Sequence, residues 1–331
     1  MKKLFLFSLL ALMPSLASAF DVEIDGIYFD LNSDTKLAKV ISGSTRYAGD
    51  VVIPYSVSYN GVEYVVSSVW GQAFYGCQSL YSVIFPDSLV LIGNAAFSNC
   101  ICLKSVDIPL TVNVIENSAF NNCTGLESVI FHGGVGRILG DAFSGCISLS
   151  SVNISDLSAW CTQRFSSEES NPLYYARHLY LDGEELTNLV VPDDVNIVNR
   201  YTFINCVHLS TVTIPSCVNR IYSSAFKNCT ALTDFYSYAE SVPTTDTDAF
   251  EGSNIASATL HVPESSLEEY KSQKPWSDFK EIVPLQGEGI PFISEAEEDH
   301  PVLVYGLNGQ LNGQGIVIVK RGNKVKKVVV K

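Results

Sequence analysis

The sequence predicts a mainly β solenoid, in which short coils stack and each coil contacts its neighbours. The pattern Ala-Phe-x-x-Cys-x-x-Leu recurs along the 331-residue chain. Successive pattern phenylalanines are 23, 23, 23, 60, 23 and 24 residues apart, a period typical of stacked coils. Four of them also have a proline 11 residues upstream, so whole coils match and not just a short motif. The pattern phenylalanines are Phe74, Phe97, Phe120, Phe143, Phe203, Phe226 and Phe250.

Residues 1–19 have the features of a secretory signal peptide. Lys2 and Lys3 precede an apolar run, and Ala17 and Ala19 are the small residues that a signal peptidase accepts. The run is too short to cross a bilayer, and no later segment is long and apolar enough. We therefore expect export to the cell surface, the outer membrane or the medium, with no transmembrane span in the mature chain.

Residues 20–50 lack the repeat and predict an N-terminal β cap. Apolar and polar residues alternate from Val22 to Phe29 around Asp25-Gly26, which is a hairpin signal. A cap is needed because the first coil would otherwise expose its core edge.

Residues 51–285 predict the solenoid itself. In a representative coil, Val106 and Ile108 alternate with polar residues, which is typical of a half-buried strand. Pro109 ends this strand because proline cannot donate a ladder hydrogen bond. The residue before each pattern cysteine is Gly or Asn, the two types that most readily adopt positive φ, so each coil is expected to turn there. These residues are Gly76, Asn99, Asn122, Gly145, Asn205 and Asn228.

Six of the nine cysteines follow the same period. They recur three residues after a pattern phenylalanine, which predicts a ladder of free, buried thiols, one in each coil. Neighbouring coils lie about one strand spacing apart, so disulfides between adjacent coils stay open as an alternative. Cys102, Cys161 and Cys217 lie off the ladder, and the odd total leaves at least one unpaired thiol. The ladder residues are Cys77, Cys100, Cys123, Cys146, Cys206 and Cys229.

These repeats resemble the BspA-like leucine-rich repeat family. Residues 92–100, Ile-Gly-Asn-Ala-Ala-Phe-Ser-Asn-Cys, are close to its consensus, and the resemblance extends from about residue 49 to residue 284. It implies a right-handed leucine-rich-repeat solenoid with a parallel sheet along one side. It also implies a surface or secreted bacterial protein associated with adhesion to host proteins or neighbouring cells, although it does not fix the ligand.

One step of 60 residues equals two periods plus 14 residues and marks an insertion at 155–185. Insertions in repeat proteins map to loops on one face, where binding often occurs. Trp160, Tyr174 and Tyr175 are therefore candidate contacts for a partner. The alternative is that these aromatic residues cover the core where a coil is irregular.

The C-terminal part predicts three elements. A short helix at 265–271, followed by Trp276 and Phe279, is expected to close the core as a C-terminal helical cap. Residues 286–300 are polar and acidic and predict a linker. Residues 301–331 contain six basic and no acidic residues and predict a small separate β module.

This module resembles the C-terminal sorting domain of type IX secretion. The resemblance lies in residues 304–309, 315–319 and 324–330, although Val317 stands where such domains usually have an aromatic residue. It implies secretion machinery as a partner. The alternative is a hairpin that docks on the solenoid or strengthens its cap.

Charge and side-chain spacing argue against several functions. Without the signal peptide and the basic module, the chain has 13 basic and 35 acidic residues. This negative charge would repel the phosphates of nucleic acid and so disfavours binding to it. No two histidines have metal-ligand spacing, so no metal site or cofactor is expected. Cys161 and His178 could form a thiol and its base for a hydrolase in the insertion, a remote alternative that lacks a third orienting group. The chain is therefore expected not to be an enzyme.

The outward positions of the strands predict a protein-binding strip. A row of small polar residues runs beside a partly apolar row, a composition that suits contact with another protein. We expect an adhesin-like function, with extracellular or surface proteins as partners. The alternative is a structural spacer in the envelope without a dedicated ligand. The candidate strip contains Ser82, Ile84, Ser105, Asp107, Ser128, Ile130, Asn153, Val190, Thr213 and Tyr236.

Overall fold

The computed structural model describes residues 20–285, 304–305, 315–321 and 324–330. Strands and turns form most of these residues, and the helices are short. The helices are α1 (Leu157–Cys161), α2 (Leu173–Ala176) and α3 (Leu267–Ser272), with 3-10 turns at Glu168–Ser170, Asn254–Ser257, Glu264–Ser266 and Trp276–Asp278. The strands are β1 (Phe20–Ile24), β2 (Ile27–Asn32), β3 (Leu37–Val40), β4 (Gly49–Val52), β5 (Ser56–Tyr59), β6 (Val62–Val69), β7 (Leu80–Ile84), β8 (Leu91–Ile92), β9 (Ser105–Ile108), β10 (Val114–Ile115), β11 (Ser128–Phe131), β12 (Arg137–Ile138), β13 (Ser151–Ile154), β14 (Leu179–Leu181), β15 (Glu184–Glu185), β16 (Asn188–Val190), β17 (Ile197–Val198), β18 (Thr211–Ile214), β19 (Arg220–Ile221), β20 (Asp234–Ser237), β21 (Thr244–Thr245), β22 (Thr259–Val262), β23 (Glu281–Pro284), β24 (Val304–Tyr305), β25 (Gly315–Arg321) and β26 (Lys324–Val330).

The N-terminal strands form the hairpin that the sequence predicts. Strands β1 and β2 pair antiparallel around Asp25 and Gly26, which have φ values of 50 and 81. Two consecutive positive φ values are the geometry of a two-residue hairpin turn. Strand β3 then pairs antiparallel with β2 and parallel with β6, which joins the hairpin to the first coil.

Each regular coil contributes a long strand and a short strand. The long strands β9, β11 and β13 pair in parallel, with Val106, Val129 and Val152 as ladder partners one repeat apart. Strands β16, β18, β20 and β22 form a second parallel row of the same kind. The short strands β8, β10 and β12 pair on another side of the coil, as do β17, β19 and β21. The repeat thus sets the register of these parallel rows.

Stacked phenylalanine rings fill the core. The ring centroids of Phe97 and Phe120 are 5.3 Å apart, those of Phe120 and Phe143 are 5.2 Å apart, and both pairs are nearly parallel. A second stack begins at Phe203, which lies 5.3 Å from Phe226. Parallel rings at these distances have the offset geometry that aromatic pairs favour.

The cysteines form the predicted ladder of thiols. All nine cysteines are free, and the six ladder residues are buried. Each of four ladder thiols donates to the backbone carbonyl of the phenylalanine in the previous coil, as Cys123 Sγ does to Phe97 O at 3.0 Å. Ser253 replaces the last cysteine of the pattern, and its hydroxyl donates to Phe226 O in the same way. The ladder therefore satisfies buried carbonyls as well as filling space.

Two positions in each of the six coils that contain a ladder cysteine have left-handed backbone conformation. The first is the predicted Gly or Asn before the cysteine, with φ values from 55 at Asn122 to 76 at Gly145. The second lies two residues before the phenylalanine, where Ala95 and Tyr201 have φ values of 51 and 65, and the sequence did not reveal it. Hydrogen bonds to the next coil hold this second position, because the Ala95 N–H donates to Asn117 O at 2.9 Å.

The insertion 155–185 interrupts both the sheet and the ring stack. Strand β14 pairs parallel with β13 and then turns back to pair antiparallel with β15. A separate sheet begins at β16. We call the boundary between residues 155–185 and the coil that begins at β16 the seam. Side chains tie the seam together, since Asn171 Nδ2 donates to Tyr201 O at 2.7 Å and Asn199 Nδ2 donates to Thr162 O at 2.7 Å.

Aromatic residues pack on the last coil. Trp276 and Phe279 are buried, and their rings lie 5.6 Å from the ring of Phe250. The helix expected at 265–271 is present as the 3-10 turn Glu264–Ser266 and helix α3. Tyr270 of α3 is fully buried and donates from its hydroxyl to Ala239 O at 3.1 Å.

A second compact unit begins at Pro284. Its described strands β24, β25 and β26 form an antiparallel three-stranded sheet, with Gly315 opposite Val330 at one end of the longest pairing. The predicted signal peptide and the predicted linker at 286–300 lie outside the described residues. No helix in the described part of the chain is long and apolar enough to span a membrane.

Candidate protein-binding face

The long strands align their outward side chains into two rows, which we call the strand-lined face. The first row contains Ser105, Ser128 and Ser151, which are direct ladder partners on β9, β11 and β13. The second row contains Asp107, Ile130 and Asn153 on the same strands. Beyond the seam, the first row continues with Asn188, Thr211 and Asp234, and the second with Val190, Thr213 and Tyr236.

The N-terminal end of this face is apolar. Ile84 on β7 is 59% exposed, and its ladder partner on β4, Val52, is 61% exposed. Tyr81 on β7 and Tyr55 just after β4 are more than half exposed. Ser82 donates to Asp50 Oδ1 at 2.6 Å, a bond that holds the first row in place beside these apolar side chains.

Two histidine–carboxylate pairs lie on the same face. His132 Nε2 lies 2.6 Å from Asp107 Oδ1, and His261 Nε2 lies 3.0 Å from Asp234 Oδ1. The His261 ring also stacks on Tyr236, with centroids 4.1 Å apart. Candidate residues chosen from the sequence omitted His261, although it occupies the outward position of β22 opposite Tyr236.

The insertion adds a tyrosine to the second row. Tyr180 on β14 is the ladder partner of Asn153, so its position continues the row across the insertion. The alternation Leu179-Tyr180-Leu181 was the available signal in the sequence. This alternation does not fit the 23-residue period, so the period alone did not place Tyr180 in the second row.

Thr213 does not fit the prediction of an outward row. Only 4% of its surface is exposed, although its ladder partners Val190 and Tyr236 are partly exposed. A residue so deeply buried can contribute little to a partner contact.

Trp160 is wrong as a candidate contact. It is 2% exposed, its indole N–H donates to Thr202 O at 3.0 Å, and its ring packs 5.5 Å from Phe131 and 5.4 Å from Phe165. The alternative, that the aromatic residues of the insertion cover the core, applies to Trp160. This residue also links the insertion to the next coil.

Tyr174 and Tyr175 are partly buried, and both are engaged in holding the insertion. The Gly145 N–H donates to the Tyr175 hydroxyl at 2.9 Å, and Asn205 Nδ2 donates to Tyr174 O at 2.9 Å. Their rings meet edge to face at 5.0 Å. Each residue is still partly exposed, but its contacts link adjacent coils.

The insertion does not assemble an activated thiol. Cys161 is fully buried, and burial raises the pKa of its thiol far above the ordinary value. A thiol that stays protonated is a poor nucleophile. His178, the base considered for it, instead places Nδ1 2.7 Å from Glu185 Oε1.

The structure brings two histidines together, although the spacing of the histidines in the sequence indicated no metal site. His178, Glu185 and His208 each offer a ligand atom, and these atoms all lie within 4.8 Å of one another. The rings of the two histidines stack at a centroid distance of 4.5 Å. This cluster lies at the seam, where Glu185 ends β15 and His208 belongs to the coil beyond it.

Several solved structures are similar to this chain, including the following three. A leucine rich cell surface protein from Faecalibacterium prausnitzii A2-165 is 20% identical, with 81% of this chain and 96% of that chain covered and a TM-score of 0.37. The T. pallidum leucine rich repeat protein is 24% identical, with 65% and 81% covered and a TM-score of 0.39. A leucine-rich repeat protein from Bacteroides capillosus ATCC 29799 is 26% identical, with 41% and 99% covered and a TM-score of 0.36. No curated protein matches the sequence.

The sequence also matches the BspA type leucine rich repeat region, in 6 copies over residues 58–171 and 178–272. The six residues between the two matched ranges fall inside the insertion, where the coils are irregular in the structure. The match covers more than half of the chain and the same residues that form the parallel strand rows. The chain therefore belongs to the BspA-type leucine-rich repeat family.

Proposed function

We propose that this chain is an exported surface protein that binds other proteins through its strand-lined face. The observation that carries the proposal is the ladder register, which aligns outward residues of successive coils into rows on each side of the seam. A partner that lies along the rows would meet polar side chains in the first row and a mixture of apolar and polar side chains in the second. Such extended, repetitive surfaces are the ones that solenoid proteins use for binding.

The apolar end of the face supports contact with protein rather than with water alone. Val52 and Ile84 are adjacent and each more than half exposed, and Tyr81 is 54% exposed. Exposed apolar side chains that cluster are more informative than scattered ones, because clusters mark interaction sites. Tyr236 supplies a second aromatic position near the other end, stacked on His261.

Binding should be measured by presenting purified extracellular matrix and mucosal proteins to the chain comprising residues 20–331. We expect capture of at least one of them, weakened about tenfold or more by the double substitution Ile84→Glu and Tyr236→Glu, since each places a charge where an apolar contact forms. Ile147→Glu is the matched control, because Ile147 is 71% exposed but lies in a turn outside the strands.

Unchanged capture by the double variant would refute the strand-lined face as the binding site. If no protein is captured and cells that lack the chain show an altered envelope, the spacer function replaces the adhesin-like one. If the Ile147→Glu control loses binding equally, the loss reflects added negative charge and not the face.

We further propose that the chain acts by binding and not by catalysis. The buried, protonated thiol of Cys161 and the engagement of His178 with Glu185 support this. Replacement of Cys161 by Ser should leave any function of the chain unchanged, and loss of a hydrolytic activity in that variant would overturn the proposal.

Export and sorting are proposed from the two ends of the chain. Residues 1–19 would direct export, and residues 301–331 would direct type IX secretion. The antiparallel sheet of β24, β25 and β26 in a unit of its own supports a separable module. Deletion of residues 301–331 should leave the protein in the periplasm, as cell fractionation would show. Normal surface display of the truncated protein would contradict the sorting function.

A further inference from the structure

The cluster of His178, Glu185 and His208 has the chemistry of a metal site. Two imidazoles and one carboxylate form a ligand set that binds Zn²⁺ and related divalent ions and leaves a position open for water. His178 Nδ1 and Glu185 Oε1 are already 2.7 Å apart, and the His208 ring stacks on His178. Glu185 and His208 are exposed and His178 is partly buried, so an ion can reach all three residues from solvent.

The repeat period brings two of these residues together. Glu185 and His208 are 23 residues apart, which is one coil, so they occupy the same register position in successive coils. Equivalent positions in adjacent coils lie about 4.8 Å apart. The antiparallel pairing of β14 with β15 then folds the segment so that His178 lies against Glu185.

The distances suit an ion after a small adjustment. Donor atoms of a tetrahedral zinc site with bonds of about 2.1 Å lie about 3.4 Å from one another. The three candidate donors are all within 4.8 Å, so shifts of about 1 Å or less per side chain would complete the geometry. Side-chain rotation supplies such shifts at low cost where the side chains are exposed.

The position of the cluster indicates what an ion would do. The hairpin of β14 and β15 is at the end of the sheet that contains β9, β11 and β13. His208 lies in the turn before β18, a strand of the separate sheet that begins at β16. Separate hydrogen bonds instead of a continuous strand ladder connect the two sheets at the seam, including three from side chains and one from the Asn199 N–H to Cys161 O. An ion held by all three residues would join the hairpin to the following coil.

We propose that His178, Glu185 and His208 bind one divalent transition-metal ion of the zinc class, which clips the two halves of the solenoid together at the seam. The proposal does not depend on the identity of a protein partner. An ion that binds the folded chain and not the unfolded chain raises its stability by mass action.

The test is titration of ZnCl₂ into the chain comprising residues 20–331, followed by calorimetry, with Cys217→Ser as the background because Cys217 is the exposed thiol. We expect one Zn²⁺ per chain, a higher melting temperature with zinc, and slower amide exchange over residues 178–187. His208→Ala and His178→Ala should each weaken binding at least tenfold, and Glu185→Gln should weaken it less.

His261→Ala is the matched control, because His261 also pairs with a carboxylate, Asp234, but joins no second histidine in a ligand cluster among the residues that the structure describes. It should bind zinc as the parent does. Absence of zinc binding by the parent would overturn the proposal. So would equal binding by the parent and the His208→Ala variant, or zinc binding that leaves melting and amide exchange at the seam unchanged.

Discussion

Phe120 is the best single position at which to test how the ring stack stabilises the solenoid. It is fully buried, with Phe97 stacked on one side at 5.3 Å and Phe143 on the other at 5.2 Å. Removal of a buried phenylalanine side chain typically costs about 3 to 5 kcal/mol through lost transfer free energy and a residual cavity. Each stacked pair contributes about 0.5 to 1.5 kcal/mol beyond area burial.

We therefore expect Phe120→Ala to lower the free energy of unfolding by about 4 to 5 kcal/mol. Phe143 lies at the break in the stack and has one stacked partner, so Phe143→Ala should cost about 1 kcal/mol less. Phe120→Leu keeps most of the volume and should cost about 1.5 kcal/mol. Urea unfolding followed by circular dichroism measures these differences.

The comparison is informative because both residues are fully buried. If Phe120→Ala costs less than about 2 kcal/mol, the coils relax around the gap and the stack is not a main source of stability. If Phe143→Ala costs as much as Phe120→Ala, ring stacking adds nothing to simple burial, and the reasoning from the number of stacked partners fails.

Three further predictions concern the backbone, the thiols and the response to pH. Asn122→Ala should destabilise the fold by about 1 kcal/mol while Asn122→Gly is nearly neutral, because φ is 55 there; equal urea midpoints would contradict this. In the native protein, Cys217 should react first with a thiol reagent and the buried ladder thiols only after unfolding, as mass spectrometry would show; rapid labelling of Cys123 would mean that the ladder opens. Burial raises the pKa of Tyr47 and of Tyr270 to about 12, so the unfolded chain loses these protons first and stability should fall as the pH rises from 10 to 12. A flat urea midpoint across that range would show that these hydroxyls are not buried in solution.

Much of the fold could be predicted because the period sets both the strand register and the contents of the core. Val106, Val129 and Val152 are one repeat apart in the sequence and are ladder partners in the structure. The left-handed turn at Asn122 was visible because Asn and Gly are the residues that adopt it easily. The second left-handed position was not visible, because Ala95 and Tyr201 have no such preference and the next coil holds them by hydrogen bonds.

The candidate site was less accessible to sequence reasoning. Periodicity places Thr213 in the outward row, but it cannot report the packing that buries this side chain. Trp160 was a reasonable surface candidate as an aromatic residue in an insertion, yet its burial depends on a packing arrangement that no repeat encodes. His178 and His208 are distant in sequence and meet only because the hairpin of β14 and β15 folds back.

The seam also has a consequence for how the molecule bears load. If one end of the protein is anchored and a partner bound near the other end is pulled, the tension passes through every coil between them. Within each strand row, backbone ladders share that tension among parallel hydrogen bonds. At the seam, no strand ladder is present among the described residues, and scattered bonds such as those from Asn171 to Tyr201 and from Asn199 to Cys161 link the two sides. We expect a pulled molecule to separate at the seam first and to unfold its strand rows afterwards. It would therefore lengthen in two stages, and the first stage would precede release of the partner.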